Sequence, residues 1–148
     1  MAISNAHEIV EALRVALETR RYDEFVGLFA DDGTYELPFA LPGVPGCFSG
    51  IASIRARFDA IAQSPMTTLL EVRQVSATIM QTADPEVVVV EFSARGTVLA
   101  NGNSFDLATS IAVIRLDNGK VKQYRDYPNT LGLAKAAGVL SQLAASLK

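Results

Sequence analysis

The stretch Val113 to Gly138, VIRLDNGKVKQYRDYPNTLGLAKAAG, decides how this chain is read. Two extended runs meet at Asp117-Asn-Gly119, whose residues tolerate the positive φ of a tight turn between antiparallel strands. The second run stops at Pro128, and Thr130 can cap a helix in which Leu133, Ala137, Leu140 and Leu143 or Leu147 line one face. The strand end itself is unusual. Tyr124, Arg125, Asp126, Tyr127 and Asn129 stand where a last strand needs apolar residues to seal a core. Side chains alternate across a strand, so Tyr124 and Asp126 share one face and Arg125 and Tyr127 the other.

Upstream, three more extended segments are expected at Thr68 to Met80, Glu86 to Leu99 and Asn103 to Leu116, with turn signals at Asp84-Pro85 and Asn101-Gly102. Together with Lys120 to Tyr127 they make an antiparallel meander. The N-terminal half has a different period. Ile9, Val10, Leu13, Ala16 and Leu17 recur at helical spacing behind a cap at Ser4 or Asn5, in a helix ending near Thr19. Tyr22, Phe25, Val26 and Phe29 give a second short helix, "ADDG" at Ala30 to Gly33 breaks it, and Thr34 to Leu37 is extended. Pro38 to Gly50, PFALPGVPGCFSG, is too apolar for a solvated loop and is expected to fold over something greasy. Ile51, Ile54, Phe58 and Ile61 mark a third helix. The expectation is an α+β fold over residues 1–148 as one domain, with three N-terminal helices on a curved, mainly antiparallel sheet and a C-terminal helix.

Composition narrows the chemistry. A chain of 148 residues, 49% of them hydrophobic, can bury a substantial core. The net charge of −3 lies in short mixed runs without a basic stripe, which argues against nucleic acid. No apolar run reaches bilayer length, so a soluble, cytoplasmic protein away from membranes is expected. Cys47 and His7 are single, so no intrachain disulfide is possible, a Ser-His-Asp triad would need His7, and no metal or other cofactor is expected. Chemistry then falls to carboxylates, tyrosines, arginines and backbone. His7 reads as a surface side chain, Cys47 as a small buried hydrophobe, Asp31 and Asp32 as turn residues, and Arg55 and Arg57 as a solvated helix face. The run Val87 to Val90 is too apolar for a sheet with one wet face, which suggests a second chain on its outer side.

Two passages, Arg21 to Pro38 with Phe48 to Phe58, and Val113 to Gly138, resemble the nuclear transport factor 2-like superfamily, also called SnoaL-like or ketosteroid isomerase-like. The resemblance covers nearly the whole chain and implies a cone-shaped α+β barrel around one pocket, and a homodimer through the convex face of the sheet. It does not name a reaction, because that fold hosts unrelated chemistries. The tyrosine and two acids of ketosteroid isomerases align with Leu13, Leu37 and Ile111, so that activity is rejected. The chain is also similar to limonene epoxide hydrolases at "YRDYPN", which sets Asp126 on their catalytic aspartate and Tyr35 on their water-holding tyrosine. Leu37, Ser93 and Arg95 replace the rest of that site. "PFALPG" and "YRDYPN" are similar to SnoaL-like polyketide cyclases and phenazine-pathway proteins, whose last-strand acid again implies an acid/base role for Asp126.

The candidate constellation follows. Asp126 is the proton-transfer residue, with Tyr35, Tyr124 and Arg95 orienting it or setting its charge. Leu37, Phe39, Leu41, Val44, Phe58, Ser93, Leu107, Thr109 and Ile111 form the pocket wall and lid. If Ser93 and Arg95 point inward, Arg95 can hold Asp126 ionised. The implied function is a cofactor-independent isomerase, cyclase, lyase or epoxide-hydrolase-like enzyme for an apolar, oxygen-bearing compound. Two alternatives stay open: Asp126 and Asn129 as a strand end and helix approach without chemistry, and a non-catalytic ligand-binding or accessory dimer.

Overall fold

The computed structural model describes residues 2–148, with side chains from Ala6 onward. Helices α1 (Ala2–Glu18) and α2 (Tyr22–Gly27) lead into β1 (Phe29–Glu36). A loop and the short β2 (Cys47–Ser49) precede α3 (Ile51–Ala62) and the single turn α4 (Pro65–Thr68). Then come β3 (Leu70–Gln81), β4 (Val87–Val98), β5 (Ser104–Asp117) and β6 (Lys120–Pro128), followed by α5 (Thr130–Ala137) and α6 (Leu140–Ser146). The strands form one open sheet in the order β2-β1-β6-β5-β4-β3, antiparallel except where β1 runs parallel to β6. The expected α+β architecture is present, and the four long strands lie within two residues of their expected bounds.

Local differences have physical causes. The α1 backbone is helical from Ala2, while the side chains of Ser4 and Asn5 lie outside the described residues. Ala30 to Gly33 are not a turn but an irregular part of β1, where the pairing with β6 shifts between Phe29 and Thr34. Asp32 there pairs with Lys122. Helix α5 is capped by Asn129 rather than Thr130: the Asn129 side chain accepts from the Gly132 amide. A Cβ on Gly132 would sit 2.3 Å from Asn129 Nδ2, so the cap needs glycine there. Gly138, with φ of 76°, ends α5 and separates it from α6, where one continuous helix was expected.

The core lies between the helices and the concave side of the sheet. Leu13, Phe25, Ile54, Val88, Val90, Phe92, Ile114 and Val121 are fully buried there. Helix α1 is keyed to β3 at both backbone polar groups of one residue: Arg14 donates to the Val75 carbonyl and Glu18 accepts from the Val75 amide, each at 2.9 Å. On β4 the even-numbered side chains face in, so Glu91, Ser93 and Arg95 face out. On β5 an extra residue, Thr109, interrupts the ladder between the pairs Ser93–Ala108 and Phe92–Ser110. A bulge of this kind reverses side-chain parity. Phe105 faces in before it and Ala112 and Ile114 after it, which turns Ile111 outward with 43% of its surface exposed.

Candidate active site

A cavity of about 320 Å³ opens between the sheet, α2, α3, α4 and α5. Leu37, Phe39, Leu41, Val44, Phe58 and Thr109 line it, as do Tyr35, Tyr124 and Asp126. The apolar loop after β1 therefore does fold over a greasy space, and Phe39 at its mouth is 78% exposed. Phe39 meets the edge of Tyr127 on the far side of β6, with ring centroids 5.2 Å apart.

Four expected positions are elsewhere. Ser93 and Arg95 lie on the outer face, in a separate polar depression with Gln74, Ser76 and Asp106. Ile111 was turned out by the bulge at Thr109, and Leu107 packs against the core without lining the cavity. Arg95 therefore does not reach Asp126. Cys47, expected to be buried, is exposed on β2, and His7 is exposed on α1.

The parallel pairing of β1 with β6 sets Tyr35 directly beside Tyr124, with rings stacked at 5.5 Å, and the Tyr35 hydroxyl donates to Asp126 Oδ2. Phe25 and Phe58 close around them, Phe25 edge-on to Tyr124 at 5.6 Å and Phe58 edge-on to Tyr35 at 5.1 Å. Asp126 Oδ1 is buried and accepts no hydrogen bond. Burial among rings pushes the Asp126 pKa up to about 6, against the lowering effects of the Tyr35 hydrogen bond and of the Arg57 charge. Burial and the nearby Asp126 charge raise both Tyr35 and Tyr124 well above the usual tyrosine value, so both remain hydroxyl donors at neutral pH. Replacing Tyr35 with phenylalanine removes a lowering contribution. The Asp126 midpoint should then rise further, which carbon-13 NMR titration of the carboxyl group measures directly.

Arg57 is the residue that sequence reasoning missed. It lines the cavity from α3, one residue before Phe58, with its guanidinium 5.5 Å from the centroid of the Phe48 ring. Its Nε is buried and donates to nothing. Helical spacing places it near the edge of the apolar stripe Ile54–Phe58–Ile61, a position that an arginine on a wet face also occupies. Only the closure of β2 over α3 tells the two apart. Asn129 has a local role: its amide donates to the Thr109 carbonyl and its Nδ2 to the Ala108 carbonyl, both at 2.8 Å. Capping and clasping thus belong to Asn129, while Asp126 accepts from Tyr35 and faces the cavity.

A profile of the SnoaL-like domain matches residues 10–124. The chain belongs to the SnoaL-like family. A PhzA/B-like protein of Pseudomonas aeruginosa, itself uncharacterised, is 32% identical over 135 residues, covering 90% of this chain and 91% of that protein. A Bacillus subtilis protein provisionally described as an isomerase superposes with a TM-score of 0.75 at 25% identity, over 94% of this chain and 96% of its own. A Catenulispora acidiphila protein with a ketosteroid isomerase-like fold, solved in complex with trimethylamine, gives 0.67 at 18% identity, over 91% and 95%. This SnoaL-like domain thus has the expected superfamily fold, and a neighbour of that fold holds a small molecule. Among the described residues no three His, Cys, Asp or Glu gather to hold a metal, and no helix is long and apolar enough to cross a membrane.

Proposed function

We propose that this SnoaL-like domain is a cofactor-independent acid/base enzyme, an isomerase, cyclase or lyase, acting on an apolar, oxygen-bearing small molecule. Asp126 moves the proton. The observation that carries this reading is a carboxylate in an apolar cavity with Tyr35 on Oδ2, no partner on Oδ1, and a pKa pushed up to about 6. Such a group is mostly ionised at neutral pH and a stronger base than an ordinary carboxylate, yet close enough to its midpoint to return the proton. Tyr35 holds the carboxyl orientation, and Tyr124 offers a second hydroxyl on the same wall. For an epoxide-hydrolase-like reaction, Asp126 and Tyr35 meet in the cavity, while Ser93 and Arg95, which stand in place of the rest of that site, lie outside it, so other partners would have to orient the water. The test is turnover and binding measured in parallel for the wild type and Asp126→Asn. Candidate lactones, enones and aromatic polyketide-like compounds are first screened by thermal shift. Binding without turnover in either protein would favour a ligand-binding role, the reading supported by Leu13 and Leu37 standing where ketosteroid isomerases carry a tyrosine and an aspartate.

The proposed assembly is a homodimer through the outer face of the sheet. Met80, Val89 and Val113 are directly opposite one another across β3, β4 and β5, on the side away from the core. Ile111, turned out by the bulge, extends this apolar row. Light scattering at micromolar concentration should give a dimer mass for the wild type and a monomer mass for Val89→Lys, since a charge at the centre of an apolar interface is left unpaired. A monomeric wild type would remove the dimer from the proposal.

A further inference from the structure

A second polar group lines the same cavity, apart from Asp126. Tyr22 contributes to it from the first turn of α2, and Ser64 and Thr67 from the cap and the single turn of α4. The corner between α1 and α2 brings these segments together. There the Arg20 guanidinium donates to the Leu70 carbonyl, which ties the corner to the start of β3, just after α4. The Tyr22 hydroxyl lies beside the Thr67 side chain. The Ser64 oxygen accepts from the Met66 amide at 3.3 Å, so its proton is left to donate.

Phe58 links this group to the carboxylate. Its ring centroid is 6.0 Å from that of Tyr22 and 5.1 Å from that of Tyr35, whose hydroxyl donates to Asp126. The charges felt at the two places differ: Arg20 acts on Tyr22, whereas Arg57 acts on Asp126. Burial raises the Tyr22 pKa, so its hydroxyl is a donor at neutral pH. Leu17, Ile61, Met66 and Val75 make much of the remaining wall apolar. In a greasy cavity a few convergent hydroxyls fix how a ligand lies.

We propose that Tyr22, Ser64 and Thr67 form a second, specificity-determining end of the cavity, and that the substrates are flat, elongated, apolar compounds carrying a hydrogen-bonding oxygen at each end. This deepens the proposed function and rests on it for which end reacts. One oxygen lies at the Tyr35–Asp126 end, the apolar body passes along Phe58, and the other oxygen meets the Tyr22 and Thr67 hydroxyls. A compound without the far oxygen covers those hydroxyls and gives them no partner, which is how a polar site rejects an analogue of the same shape.

The test compares diols with the corresponding mono-ols by isothermal titration calorimetry at about pH 7, where phenols are neutral. Two lengths are used: 2,6-naphthalenediol against 2-naphthol, and 4,4′-biphenol against 4-phenylphenol. The wild type should bind the diol of the better-fitting length about fivefold or more tightly than its mono-ol, the scale of one further neutral hydrogen bond. Tyr22→Phe and Thr67→Val each remove a hydroxyl with little change of shape. Each should reduce the ratio, and the double variant should bring it to about one. The ratio is read within one protein, so a general loss of affinity does not move it.

No diol preference at either length in the wild type, including failure to bind, overturns the inference, as does a preference that survives in the double variant. Turnover of Asp126→Asn decides the reacting end separately. A Tyr22- and Thr67-dependent preference in a protein whose turnover does not depend on Asp126 removes the proton-transfer reading and leaves the two-ended site standing.

Discussion

Replacing Asp126 with asparagine should make the protein more stable near neutral pH while removing a factor of about a hundred or more from turnover. The rate expectation follows from the loss of the only carboxylate that lines the cavity among the described residues, with Tyr35 still able to donate to the asparagine oxygen and substrate binding retained. The stability expectation follows from linkage. Burial raises the folded-state pKa of Asp126 from 3.8 to about 6, so the native state takes up its proton more readily than the unfolded chain. The favourable contribution of that proton is complete below about pH 4 and is lost as pH rises through about 6. Above that point the ionised side chain disfavours folding by on the order of 3 kcal/mol, about two pH units at 1.36 kcal/mol each. Asparagine does not ionise. The variant should therefore melt several degrees above the wild type at about pH 7.5, with the difference closing below about pH 4. Differential scanning calorimetry at the two pH values decides this, since an aspartate kept for structure would give a lower melting temperature at neutral pH.

Gly96→Ala should be the most destabilising small change in the sheet, by about 3 kcal/mol or more, and should lower the melting temperature by about 10 °C. Gly96 is buried on β4 opposite Val72, where the pairing with β3 shifts and Arg73 is the extra residue. A Cβ added there would lie 1.8 Å from the Glu71 carbonyl oxygen and 3.1 Å from the Arg73 amide nitrogen. Both are backbone atoms and neither can rotate away, so the bulge must open or the strands must part. The neighbouring Val72 and Val75 line the cavity, so ligand affinity should fall with stability. Thermal unfolding of the variant measures the effect, and an unchanged melting temperature would mean that β3 and β4 are not paired in this register.

Much of this protein was legible without coordinates, and particular residues show why. The switch from helical to alternating period, and the turn chemistry of Asp117-Asn-Gly119, are properties of a few consecutive residues that bias the backbone wherever they occur. They determined the order of elements, the meander and the inward face shared by Tyr124 and Asp126. Lys122 is an extra residue in β6, where the pairing with β5 passes from Gln123 to Val121, yet the parity from Tyr124 onward is kept.

Thr109 shows the limit. Nothing within β5 distinguishes a straight strand from a bulged one, because the bulge is held from outside by Asn129 and registered against β4. One inserted residue then exchanges the faces of all that follow, which carried Ile111 out of the expected pocket wall. The choice between Arg95 and Arg57 was of the same kind. Arg95 faces away because Ala94 and Gly96, its neighbours on β4, are buried, and Arg57 faces the cavity because β2 and Phe48 close over α3. The sequence by itself determined the elements, the fold class and the carboxylate of the last strand, since these depend on local backbone preferences and on the period of apolar residues. Only the tertiary structure decided which cation accompanies that carboxylate, because that depends on pairing register and on packing between segments far apart in the chain.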